Sequence, residues 1–257
     1  MDVLYCIILG IVQGLSEFLP ISSSGHLLLL EKLGVGTPDL FFNVMLHVGT
    51  LFAVVVAMRN PVAALVKKPF SKQTGLLLVA CVPTVIIALV FKLCFPSLLN
   101  GKMLGFGFVL TATLLFVSEN FKIAQNGVLS YKTSILTGIL QGIAILPGVS
   151  RSGATISTLT FLGIEKRSAA DFSFLLSIPI ILGSAIVEIV DIWGGGFAIS
   201  LPWYDIVIGV VFAFVSGLVA IKFFLKLVAN YNLKPFIIYT ALLGVVVSIL
   251  PLFGVKI

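Results

Sequence analysis

Two stretches decide how this chain folds: "GIVQGLSEFLPISSSG", Gly10 to Gly25, and "GILQGIAILPGVSRSG", Gly138 to Gly153. Gly10, Gln13, Gly14, Ser22, Ser24 and Gly25 of the first match Gly138, Gln141, Gly142, Ser150, Ser152 and Gly153 of the second, each pair 128 residues apart. Only the prolines are out of step, Pro20 and Pro147 being 127 apart. Glycine, glutamine and serine are not what apolar segments share by chance, and the offset is half of a 257-residue chain. The pattern predicts an internal duplication within a single integral membrane domain, with halves of about 1–128 and 129–257. Further on, "FFNVMLHVGT" (Phe41 to Thr50) and "DFSFLLSIPI" (Asp171 to Ile180) are loosely alike.

The surroundings of both stretches are apolar. The chain is 59% hydrophobic and 10% charged, where a soluble domain carries about 25% charged residues. Such a composition cannot cover a water-facing surface, and continuous apolar runs exclude the alternating pattern of a β-barrel. Helix-length runs at roughly 40–58, 74–91, 103–118, 171–190, 204–226 and 235–253 predict six spans. The regions 3–33 and 133–163 differ: each has two short apolar arms with Pro, Gly and Ser between them, the pattern of a re-entrant helix–loop–helix. The expected fold is an all-α polytopic membrane protein with an inverted-topology repeat, six transmembrane helices and two re-entrant elements.

Charge placement gives the orientation. If each re-entrant element returns to its own side, Arg59, Lys67, Lys68, Lys72, Lys122, Lys132, Lys166, Arg167, Lys222, Lys226 and Lys234 gather on one face. Lys32, Lys92, Lys102 and Lys256 gather on the other. The positive-inside rule puts the first set in the cytoplasm and both termini outside. Three spans per half is an odd number, so the halves are inverted and the two polar tips should meet near the midplane, the plan of many transporters. The net charge of +6 belongs to helix ends and does not suggest a nucleic-acid partner. Cys6, Cys81 and Cys94 have no metal or redox spacing and read as small hydrophobes.

Charges inside lipid are expensive, about 2.5 kcal/mol or more each, and the motifs carry two of them inward, Glu17 and Arg151. Ser22 to Ser24 and Ser150 to Ser152 suit N-caps, so each loop should open a helix whose free N–H groups favour an anion. Arg151 adds a planar fork that suits phosphate, and Thr155 sits one turn beyond it. An anion site opposite a carboxylate points to a phosphate arriving with a divalent ion. Glu17 is then a metal ligand or a general base, and Gln13, one turn earlier, can add an amide oxygen. His26, beside the serines, can move a proton. His47 lies in a span, where it can line the same cavity, although a lone histidine on an apolar helix is more readily structural.

With those residues in view, the sequence resembles the undecaprenyl-diphosphate phosphatase family, membrane enzymes associated with bacitracin resistance. Its signatures appear here as "QGLSEFLPISSSGH" (Gln13 to His26) and "PGVSRSGAT" (Pro147 to Thr155), and the likeness extends to "AADFSFLLSIP" (Ala169 to Pro179). The resemblance implies hydrolysis of a C55 polyprenyl diphosphate to its monophosphate and phosphate, with a divalent cation, Mg²⁺ before Ca²⁺. It implies a plasma-membrane location; the topology, in which the first motif enters from outside and carries Glu17, Ser23 and His26, predicts a site opening to the periplasmic or extracellular side. It makes Glu17 the motif acid, Ser23 the proposed nucleophile, His26 the proposed acid/base and Arg151 the phosphate clamp, while the loop chemistry read above puts Ser22, Ser24, Ser150, Ser152 and Thr155 around the substrate. Gln13 stands where Glu is the alternative, which leaves one carboxylate fewer for a metal. Whether Ser23 attacks or orients a water stays open, as does a homodimer. Two rivals are weighed: a transporter, favoured by fold alone, and a phosphatidic-acid phosphatase type 2 enzyme. The latter needs a second histidine after its SR motif, and no His follows Arg151.

Overall fold

The computed structural model describes residues 2–36, 39–121, 123, 126–194 and 201–253. Lys122 and Lys256, two of the charges used for orientation above, lie outside the described residues. Among the described residues the chain is all α, with no strand. The helices are α1 (Val3–Phe18), α2 (Ser23–Lys32), α3 (Leu40–Ala57), α4 (Arg59–Lys67), α5 (Lys72–Cys94) and α6 (Pro96–Leu99). There follow α7 (Leu104–Asn120), α8 (Tyr131–Ile143), α9 (Arg151–Phe161), α10 (Lys166–Gly194), α11 (Trp203–Asn230) and α12 (Lys234–Ile249), closed by a 3-10 turn (Leu250–Phe253).

Five helices, α3, α5, α10, α11 and α12 (the last extended to Leu252), are long and apolar enough to cross a membrane. The sixth expected span is α7, whose 17 residues lie at the lower edge of what a bilayer takes. Both polar stretches break their helices as expected: α1 stops at Phe18 and α2 starts at Ser23, while α8 stops at Ile143 and α9 starts at Arg151. The protein is a multi-pass α-helical membrane protein. Its lipid-facing skin is made of side chains such as Phe52, Leu78, Ile86, Val211, Phe223 and Leu242, each about half exposed or more.

The helices recur at the sequence offset. Val3 and Tyr131 open α1 and α8, and Ser23 and Arg151 open α2 and α9, 128 residues apart in both cases. The pairing partners recur too. Helix α1 packs on α11 and α8 packs on α5, while α3 packs on α10 and α7 on α12. Each long contact therefore joins the first part of the chain to the second.

The repeated glycines explain two of these seams. A Cβ at Gly10 would lie 2.5 Å from the Gly209 carbonyl oxygen, and one at Gly14 would strike the Ala213 carbonyl oxygen. In α8, a Cβ at Gly138 would strike the Ala80 carbonyl oxygen, and one at Gly142 would lie 2.7 Å from Ile87 Cβ. Without water to drive them together, helices in lipid associate by close packing, and small residues four apart permit it. Below the first elbow, Phe18 meets Phe174 edge-on at 5.5 Å, Phe174 meets Phe224 at 5.9 Å, and Phe224 meets Phe236 at 5.8 Å. This aromatic ladder anchors the end of α1.

Replacing Gly14 by valine forces α1 off the α11 backbone. The expected loss is about 1–3 kcal/mol or more, read as a lower unfolding temperature in detergent. Gly183→Ala, where nothing lies within 4 Å of the added carbon, serves as the control and leaves the temperature unchanged or raised.

Candidate functional site

The two elbows are built alike. In the first, the Ser22 side chain accepts from the Gly25 N–H at 3.3 Å, and the Ser22 and Ser24 hydroxyls lie 3.4 Å apart. In the second, Ser150 accepts from the Gly153 N–H at 3.0 Å, and the Ser150 and Ser152 hydroxyls lie 3.2 Å apart. Each serine is the N-cap of the returning helix, as its position before a new helical run dictates. The elbows touch directly. The Ser152 hydroxyl donates to the Leu19 carbonyl at 3.0 Å, and a Cβ on Gly25 would lie 2.9 Å from Gly148 Cα. Gly148 has φ +90°, which a side chain would strain. Thr111 of α7 fixes this second elbow, donating to the Gly148 carbonyl and accepting from the Ser150 N–H, both at 2.9 Å.

Charge meets charge at the junction. Glu17, one residue from the end of α1, takes Arg151 Nη2 on Oε1 at 2.5 Å. Its other oxygen, Oε2, accepts from Ser23 Oγ at 2.5 Å and from Gln13 Nε2 at 3.1 Å. The Glu17 side chain is 4% exposed and that of Arg151 16%. Ser23 and Arg151 hold the same position in the two elbows, the first residue after the N-cap, and both converge on this carboxylate. A cavity of about 200 Å³ opens beside them, lined in part by Glu17, Ser23, Ser24, Arg151, His47 and Glu188. Ser22 and Ser150 also reach its wall.

The structure brings Glu17, Gln13, Ser23 and Arg151 together and puts three of the remaining expected residues elsewhere. Ser152 is buried between the elbows. Thr155 is buried behind Arg151, 2.6 Å from the Ser173 hydroxyl. His26 is off the cavity wall, with Nδ1 2.7 Å from the Ser22 carbonyl and Nε2 2.6 Å from the Tyr239 hydroxyl. The imidazole at the cavity is His47 instead, whose Nδ1 is 2.9 Å from Gln13 Nε2 and 3.6 Å from Glu17 Oε2. The sequence allowed His47 a place on this cavity but favoured a structural role for it, and Glu188, near the far end of α10, gave no motif signal.

The first elbow carries strain. Ser22 has φ 72° and ψ 101°, a region that non-glycine residues avoid, at about 1–3 kcal/mol. The matching Ser150 is relaxed, with φ −74° and ψ 120°.

For a cation, Gln13 Oε1 is buried with no hydrogen-bond partner among the described residues, next to the Glu17 carboxylate. Among the described residues no three His, Cys, Asp or Glu side chains gather as a metal cluster. One carboxylate and one unsatisfied amide oxygen fit a hard ion that takes its other ligands from phosphate oxygens and water. Two helix N-termini, an arginine and a serine around one small cavity give this membrane protein a site whose chemistry suits an anionic group.

Comparison with known proteins narrows the class. Residues 6–246 match the family described as bacitracin resistance protein BacA, and the chain belongs to that family. It is 39% identical over 256 residues to an undecaprenyl-diphosphatase of Halothermothrix orenii, covering 97% of this chain and 98% of that one. It is 37% identical to an undecaprenyl-diphosphatase of Carboxydothermus hydrogenoformans, covering 99% of each. It is 38% identical to undecaprenyl-diphosphatase 4 of Bacillus thuringiensis subsp. konkukian, covering 96% of each.

Removing either member of the buried pair strands the other. Glu17→Gln and Arg151→Gln are each expected to cost about 3–5 kcal/mol, read by unfolding in detergent. The double variant should lose clearly less than the sum of the two.

Proposed function

We propose that the protein hydrolyses undecaprenyl diphosphate to undecaprenyl phosphate and inorganic phosphate at the membrane. That reaction recycles the carrier lipid of cell-wall synthesis and thereby confers resistance to bacitracin. Full-length relatives carry the name of this activity. The observation that carries the reading is the Glu17 carboxylate, which holds Ser23 and Arg151 at once beside the cavity.

The steps follow from that geometry. The terminal phosphate of the lipid takes the Arg151 guanidinium from Glu17, since a doubly charged oxyanion offers the fork a better partner. The first N–H groups of α2 and α9 add positive potential. Ser23 Oγ attacks the terminal phosphorus and its proton passes to Glu17 Oε2, already its hydrogen-bond acceptor. The bond to the bridging oxygen breaks, and undecaprenyl phosphate leaves with that proton. Water then attacks the phosphoserine, Glu17 takes its proton and returns it to Ser23, and phosphate departs. Glu17 takes the proton-moving part expected of His26, because both ring nitrogens of His26 are occupied away from the cavity. A divalent cation, Mg²⁺ or Ca²⁺, would be held by Glu17 and Gln13 Oε1 and would neutralise charge on the diphosphate.

We place the protein in the plasma membrane as two inverted halves, about 1–128 and 129–257, with both termini outside and the cavity opening to the periplasmic or extracellular side. The support is the 128-residue recurrence of helix starts and the bias of Lys and Arg to one set of helix ends.

Phosphate release from undecaprenyl diphosphate by purified protein tests the activity. Arg151→Ala and Ser23→Ala should each lose about 10²-fold or more in kcat, and chelation of divalent ions should stop release. Labelled lipid that crosses vesicles without hydrolysis would instead indicate transport. For orientation, a cysteine at Lys32 should react with an impermeant reagent on intact cells and one at Lys67 should not.

A further inference from the structure

His26 and Ser22 are linked in a way that the reaction above leaves unused. The Ser22 carbonyl accepts twice, from the His26 backbone N–H at 3.2 Å and from the His26 ring at 2.7 Å. A carbonyl only accepts, so the ring proton is on Nδ1. The neutral ring then has a lone pair on Nε2, and the Tyr239 hydroxyl, 2.6 Å away, donates to it. The ring is also fixed by contact, parallel to Tyr239 and edge-on to Phe108 at 5.3 Å. Tyr239 comes from α12, 213 residues away in sequence. Its neighbours there, Ile238, Leu242, Val245 and Val246, are exposed and apolar. A hydroxyl on such a face needs a partner inside the protein, and His26 is that partner.

The second elbow provides an internal control. Ala154 stands where His26 stands in the first, 128 residues on, and there the N-cap Ser150 is relaxed. The elbow with the imidazole clamp is the one whose N-cap serine is at positive φ. Ser22 immediately precedes Ser23, so its backbone angles set where Ser23 Oγ points.

We propose that His26 and Tyr239 are positioning residues for the hydrolysis: a hydrogen-bonded chain from the Tyr239 hydroxyl through the His26 ring to the Ser22 carbonyl holds the first elbow in the strained conformation that aims Ser23 at Glu17. This rests on the activity proposed above. Tyr239 is not among the residues lining the cavity, and its effect on the reaction passes through His26 and Ser22.

The test uses the full-length protein in detergent with undecaprenyl diphosphate. Tyr239→Phe keeps the ring and deletes the hydroxyl; kcat should fall about 10-fold with KM unchanged, because aim is lost and binding is not. His26→Ala should cost about 10²-fold in kcat. His26→Asn, which keeps an N–H near the Nδ1 place but cannot relay a proton, should recover much of that loss. Ser22→Gly added to His26→Ala should also recover activity, since glycine adopts positive φ without a clamp. Tyr239→Phe should have no further effect once His26 is alanine. Independently of activity, ¹⁵N spectra should show the His26 ring protonated at Nδ1, with a hydrogen-bonded Nε2 whose signal shifts in Tyr239→Phe. A wild-type protein that releases no phosphate would sink the activity and leave the spectrum to judge the clamp. An active protein in which Tyr239→Phe is silent, or in which His26→Asn is as poor as alanine, would overturn the clamp alone.

Discussion

The contact on which the rest depends is the ion pair between Glu17 and Arg151, two charges 134 residues apart in sequence, held at 2.5 Å inside an apolar protein. Neither could be buried alone, because the desolvation of a lone charge exceeds what a few hydrogen bonds return. Together they give each elbow a reason to stop at the same depth. The elbows must be brought to that point by the helices behind them. That is the work of the glycine seams, in which α1 lies against α11 and α8 against α5 at nearly backbone-to-backbone distance. Packing of this kind leaves no slack along the seam, so the carboxylate and the guanidinium meet in one arrangement.

The same pair explains why the site is ready for an anion without being a loose positive hole in the bilayer. Arg151 is neutralised by Glu17, and the Ser23 hydroxyl is bonded to the same carboxylate. On the proposed mechanism a phosphate takes over the guanidinium by exchanging partners, so Arg151 is never left unpaired. Around this core, the two elbows differ in tension: Ser22 is held at positive φ and Ser150 is not. Strain of that sort persists only where neighbours over-determine it, and here they are a histidine, a tyrosine and a phenylalanine from three different helices.

Much of this was readable from the sequence because repeats and breakers act locally. Gly10, Gln13, Gly14 and the serine runs announced two matching elbows, and SSSG and SRSG became N-caps as their chemistry requires. Glu17 and Arg151 stood out because lipid makes charge conspicuous. The histidines were harder. His26 is adjacent to the serines in sequence, but α2 begins at Ser23, so its ring falls one turn along, over the Ser22 carbonyl and not beside Ser23. His47 reaches the carboxylate from α3, a neighbour that only the packing of α1, α3 and α10 determines. Tyr239 gave no signal at all, since its partner is at the other end of the chain. Thr155 has the right spacing from Arg151, yet its hydroxyl is spent on Ser173.

The matched positions of Ser23 and Arg151 have one more implication. A pair of identical elbows would offer either two hydroxyls with no cation or two guanidiniums with nothing to attack, and in the second case they would repel each other across the axis. Because the two elbows differ at this position, unlike groups stand at like positions around a single acid. The helix starts recur while the side chains at them differ, so on the proposed mechanism the attacking oxygen always approaches the phosphorus from the same side.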